Sequence, residues 1–147
     1  MNDILLCVDG SLAGTAATRV ALRLASEVGA RLHALYVVED SGLAALVDRT
    51  IDGHGADDRL AQTAESLQTR MRTMAEEAGV DIDWILDSGE PFDRIIERAR
   101  MLQPRFIVMG RAGRRGPGRA LVGSQVEHTL EFTEWPVIVV PATAPGR

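Results

Sequence analysis

Short, unbroken apolar runs alternate along this chain with stretches of helical period, and that alternation restricts the fold more than any other feature. Ile4-Leu5-Leu6-Cys7-Val8 is the first run, stopped by Asp9-Gly10-Ser11. Leu32–Val38, Val80–Leu86, Arg105–Met109 and Pro136–Val140 are further strand-like segments. A run that is apolar at every position suits a strand covered on both faces, as in a parallel sheet. Between the first two runs, Leu12, Ala16, Val20, Leu24 and Val28 recur at helical spacing, with Ala13, Ala17, Ala21 and Ala25 beside them and Gly29 as a stop. The alanines predict a helix that packs close to the sheet. A second helix is expected from Asp57 to Gly79 on Leu60, Ala64, Leu67, Met71, Met74 and Ala78, with Asp57 or Asp58 as its N-cap. Glu90-Pro91 opens a third, whose buried face is Phe92, Ile95, Ile96, Ala99 and Leu102. Ser124–Phe132 reads as the last. Residues 39–55 are polar and irregular and predict a loop carrying a helical turn at Leu43–Val47; the tail at 142–147 reads as loose. The order β-α-β-(loop)-α-β-α-β-α-β predicts one five-stranded parallel sheet with helices on both faces, joined by right-handed crossovers. At 147 residues the chain suits a single domain, 1–147.

Composition excludes several chemistries. The chain contains no lysine, so it has no Walker A lysine, no kinase-type lysine and no Schiff-base lysine. A single cysteine, Cys7, leaves no partner for an intramolecular disulfide and argues against a cysteine zinc site. Its place inside an apolar run marks it as a core thiol. A net charge of −5 argues against nucleic acid and anionic membrane as main partners. No apolar run approaches the roughly 18 residues of a membrane span, and a cytoplasmic protein is expected. No G-x-G-x-x-G follows the first strand and no G-x-S-x-G elbow occurs. His33, His54 and His128 are scattered without metal-ligand spacing; His33 reads as structural.

In an open parallel sheet, ligands bind beyond the carboxyl ends of the strands, where the winding reverses. The segments expected there are Asp9-Gly10-Ser11, Val37-Val38-Glu39, and the glycine- and arginine-rich run from Gly110 to Arg119. Glycines at Gly110 and Gly113 would let backbone N–H groups approach an anion without a Cβ in the way. Gly123-Ser124 opens a helix whose N-terminus offers free N–H groups and partial positive charge. Ser124 with Glu127 also forms a capping box. Arg111, Arg114, Arg115 and Arg119 concentrate positive charge in an acidic chain; a solvated loop face is the alternative for each. Asp9 is open between shaping its turn, capping the first helix and facing a ligand.

Gly110, two residues, Gly113, nine residues, then Gly123-Ser124 resembles the pattern of the ATP-binding universal stress proteins. Ile4–Ser11 resembles that family's opening strand and turn, and Trp135-Pro136-Val137-Ile138-Val139-Val140 its closing strand. The resemblance implies a three-layer α/β/α, Rossmann-like fold of the adenine nucleotide alpha hydrolase-like kind. It implies ATP, AMP or cAMP as ligand, met by Asp9, Gly10, Ser11, Val37, Val38, Met109, Gly110, Arg111, Gly113, Arg114, Gly123, Ser124, Gln125 and Val126. Asp9 is the candidate to meet Mg²⁺ through the phosphates. No catalytic residue is assigned: the expected role is regulatory, with nucleotide-dependent ordering of the loop and binding of a protein partner. The alternatives are a dimeric interaction module that binds no nucleotide, and a weak ATP hydrolase or adenylyl-transfer enzyme built on Asp9. A homodimer through strand 136–140 is expected, since four consecutive β-branched residues would otherwise stand on a bare sheet edge.

Overall fold

The structure, a computed structural model, describes residues 2–38, 55–111 and 124–142, without the side chains at 55–61 and 124. The loop expected at 39–55, Gly55 apart, and the tail beyond Ala142 lie outside the described residues. The described elements are β1 (Ile4–Val8), α1 (Leu12–Val28), β2 (Leu32–Val38), α2 (Gly55–Ala78), β3 (Ile82–Ser88), α3 (Pro91–Leu102), β4 (Phe106–Gly110), α4 (Ser124–Phe132) and β5 (Val137–Val140).

All five strands run parallel in the order β3-β2-β1-β4-β5. The chain winds outward from β1 to β3, then crosses back through α3 to lay β4 on the other side of β1. The winding therefore reverses between β1 and β4. Side chains alternate along β1 and split the core in two. Ile4, Leu6 and Val8 face α1 and α2, where Ala17, Ala21, Ala25, Met71 and Ala75 cover them. Leu5 faces the other layer, with Ile95, Ala99 and Val126 of α3 and α4. Burial on both faces is why the strand is apolar at nearly every position. The alanine stripe of α1 is buried as its spacing predicts.

Several boundaries differ from expectation: β4 spans Phe106–Gly110 in place of 105–109 and β5 spans Val137–Val140 in place of 136–140, and three further differences have a local reason. Val80 is not in a strand. Gly79 adopts a left-handed φ of 66°, which glycine tolerates without a Cβ clash. Gly79 N–H then donates to Glu76 O and Val80 N–H to Ala75 O, the paired bonds of a Schellman motif, with Val80 as its buried hydrophobic contact. β3 instead extends to Asp87 and Ser88, because each is paired in register with Val37 and Val38 of β2. Finally, α2 begins at Gly55, so Asp57 and Asp58 stand in its first turn and not at the N-cap.

His33 is structural, as its position suggested. It is buried on β2, with Nε2 3.1 Å from Asp3 Oδ2 and Nδ1 3.3 Å from Asp83 Oδ2. Asp87 near the end of β3 accepts two hydrogen bonds from Arg98 of α3, from Nε and Nη2, both at 2.7 Å. Those bonds are the main reason its carboxyl titrates below the usual range; burial opposes them, and the charges of Arg98 and Arg94 add to them. A lowered folded value means the unfolded chain binds more protons, so the pair stabilises above the ordinary aspartate range and fades as pH falls through it. Asp87→Asn is expected to lower unfolding free energy by about 1 kcal/mol at neutral pH, the pair being partly solvated. Denaturant titrations should show that difference shrink as pH falls below the ordinary aspartate range, about 4.

Candidate functional site

The turn after β1 is held by a compact network. Ser11 caps α1, its Oγ accepting from Gly14 N–H at 2.9 Å. The same hydroxyl donates to Asp9 Oδ1 at 2.6 Å, and Ser11 N–H donates to that oxygen at 2.9 Å. Asp9 therefore shapes the turn, and the capping falls to Ser11. Gly14 lies directly beneath the carboxylate: a Cβ there would stand 2.5 Å from Asp9 Oδ1.

Gly110, at the end of β4, meets the same turn from the sheet side. A Cβ on Gly110 would lie 2.7 Å from Ala13 C, 2.8 Å from Gly14 N and 2.9 Å from Ala13 Cβ. The first turn of α1 thus sits directly against Gly110. The missing side chain that the sequence linked to anion approach has a packing reason of its own.

Backbone groups expected to meet a ligand are partly committed already, which matters because each N–H donates only once. Arg111 N–H donates to Val140 O at 2.7 Å, continuing the ladder to β5. Val38 O accepts from Gly89 N–H at 3.0 Å, tying β2 to the turn before α3. Val37 and Val38 are half-buried. Met109 and Val126 point their side chains into the core beneath α3 and α4, so only their backbones can face a ligand. Arg111 and Gly10 are exposed, and Ser11 is half-buried. Gln125, on the first turn of α4, donates from Nε2 to Glu90 Oε1 at 2.8 Å. Glu90 is the N-cap residue of α3, yet its side chain makes no capping bond. Ser124 is described by its backbone as the first residue of α4. Gly113, Arg114 and Gly123, with Arg115 and Arg119, lie outside the described residues. His128 is exposed and packs edge-on to Phe92, ring centroids 5.6 Å apart.

The structure thus brings Asp9, Gly10, Ser11 and Gly110 together at the carboxyl edge of the sheet, where the winding reverses. Gly14 and Glu90 belong to the same edge and were not singled out from sequence. Gly14 had a signal: a glycine inside a helix costs about 1 kcal/mol against alanine and calls for a reason. Among the described residues, no group of three or more His, Cys, Asp or Glu is placed to hold a metal ion. No described helix is long and apolar enough to cross a membrane.

Cys7 lies two residues before Asp9. Burial, with the Asp9 charge adding to it, pushes its thiol up to about 12. At pH 8 the thiolate, the reactive form, is then about a thousandfold scarcer than in an ordinary cysteine. Alkylation of the folded protein by iodoacetamide is expected to run at least about a hundredfold slower than in denaturant. Equal rates in the two states, followed by mass spectrometry, would contradict this burial.

Comparison with known proteins agrees with this fold. The model of the universal stress protein family matches residues 1–141. Universal stress protein MJ0531 of Methanocaldococcus jannaschii is 32% identical over 141 residues, covering 95% of this chain and 81% of that protein. Among solved structures, the universal stress protein UspA from Lactobacillus plantarum is similar at a TM-score of 0.79 and 28% identity, over 95% of this chain and 97% of that one. A universal stress protein solved in complex with cAMP shares the fold at a TM-score of 0.71 and 19% identity, over 97% and 98% of the two chains.

Proposed function

The chain belongs to the universal stress protein family, and on that premise we propose that it is a regulatory protein that binds ATP or a related adenine nucleotide. The observation that carries this is the close approach of the two segments bearing the family pattern. Asp9–Ser11 and Gly110 both border the first turn of α1 at the reversal of winding: a methyl group added at Gly110 would collide with Ala13 and Gly14, and one added at Gly14 would collide with Asp9. Nucleotide sites of open parallel sheets form at such a point. The fold neighbour in complex with cAMP holds an adenine nucleotide on the same architecture.

In this proposal the phosphates lie over Gly113, Arg114 and Gly123, against the N-terminus of α4 that begins at Ser124. Free N–H groups and the helix dipole favour an anion there, and arginine supplies the charge that lysine supplies in other nucleotide sites. The adenine lies toward the ends of β1 and β2. Asp9 Oδ1 already accepts two hydrogen bonds, so a Mg²⁺ brought with the nucleotide would take most of its ligands from phosphate and water. Phosphate contacts would order the loop and alter a surface read by a partner protein. A homodimer through β5 completes the proposal.

The direct test is to denature the purified protein and identify released small molecules by mass spectrometry. An adenine nucleotide near one per chain is expected. Protein that emerges empty and takes up no ATP, AMP or cAMP at millimolar concentration would overturn the proposal in favour of an interaction module.

A further inference from the structure

We propose that Arg70, on α2, contacts the base end of the bound nucleotide, an assignment that rests on the nucleotide-binding proposal above. α1 packs chiefly on β1 and β4, whereas α2 packs against α1 and β3. The first turn of α1 is therefore approached from two sides. Gly110 stands on the β4 side, and the phosphates are assigned to the segment that follows it. Arg70 stands on the other side, that of β2, whose end at Val37–Val38 is assigned to adenine.

A small cavity separates α1 from α2 just below the β1 turn. Among its lining residues, Gly10 and Arg70 are exposed and form its rim, Thr15 and Leu67 are half-buried, and Val8 and Met71 are buried. The volume, about 20 Å³, admits a water-sized group and no ring. What a nucleotide would meet is the rim. Both Gly10 and Arg70 are exposed there. Among the described residues Arg70 has no hydrogen-bond or ion-pair partner, in a chain with 21 acidic residues against 16 arginines. An unpaired guanidinium beside Gly10 presents a flat cationic face and several N–H donors. That suits the face and ring nitrogens of adenine, and planarity matters to it as much as charge.

Calorimetry with ATP and with adenosine separates this role from phosphate binding. Arg70→Ala is expected to weaken both ligands by the same factor, about three- to thirtyfold. Arg70→Lys, which keeps the charge and loses the plane, should recover little of it. Arg114→Ala with Arg119→Ala should weaken ATP far more than adenosine. Arg70 is exposed, so its variants should unfold at the parent temperature, which is checked first. Unchanged affinity for both ligands in Arg70→Ala would overturn the inference while leaving the nucleotide proposal standing. So would a loss confined to ATP, which would make Arg70 a phosphate contact. A parent protein that binds neither ligand would remove the nucleotide proposal itself.

Discussion

Gly110→Ala is expected to cost the fold about 2–3 kcal/mol, within the usual range for overpacking, and to lower the thermal midpoint by roughly 5–10 °C for a chain of this size. The new methyl group would meet Ala13 C, Gly14 N and Ala13 Cβ at 2.7–2.9 Å. Two of these are backbone atoms of the first turn of α1, anchored by the Ser11 cap and by the alanine stripe on the sheet, and they cannot rotate aside. Gly14→Ala is the informative contrast. Its methyl group would meet chiefly the tip of the Asp9 side chain, which can move. Alanine also gains about 1 kcal/mol of helix propensity over glycine. Gly14→Ala should therefore stay within about 1 kcal/mol of the parent while it pulls Asp9 off Ser11. Calorimetric melting of both variants checks the pair. A Gly110→Ala protein as stable as the parent would mean that α1 and β4 do not approach as described.

Val139→Lys is expected to convert a dimer to monomer, or to insoluble protein. β5 stands at one edge of the sheet. Val137, Ile138 and Val139 remain partly exposed on it, with Leu130 and Phe132 of the preceding helix also exposed. The other edge, β3, carries Asp83 and Asp87, charges of the kind that discourage edge pairing. β5 has none, and Pro136 blunts only its start. Antiparallel pairing of β5 with its copy in a second molecule satisfies the open backbone groups under two-fold symmetry. Sedimentation of the parent at micromolar concentration should give a dimer; a clean monomer would refute the pairing. A lysine at Val139 would place two like charges near the two-fold axis of that pairing.

Most of the architecture could be read from the sequence because it depends on local periodicity. Ile4–Val8 and Leu32–Val38 begin and end as their apolar runs do, since both strands are central and buried on both faces. β3 is an edge strand, and there the sequence misleads at both ends. Val80 looks like strand but closes a helix, while Asp87 and Ser88 look like loop but are paired by register with β2. Pairing register is set by the neighbouring strand, which no local pattern reports. Similarly, the glycine at Gly110 was visible but its crowding against Ala13 was not, because 96 residues of chain separate Gly14 from Gly110. The commitment of Arg111 N–H to Val140 and of Val38 O to Gly89 was hidden for the same reason. Arg70 gave no sequence signal at all: on its own helix it is one more exposed arginine.

An adenine nucleotide is proposed to bind across Asp9–Ser11 and the loop after Gly110, and the decisive experiment is titration calorimetry of ATP into the parent and Gly113→Val. The parent should bind ATP saturably, at about one per chain. A β-branched side chain at Gly113 would stand where the phosphates are assigned, and the folded variant should lose at least about tenfold in affinity, as expected for breaking even one charge-assisted phosphate contact. Equal ATP affinity in the two proteins, or no binding by the parent, would contradict the account.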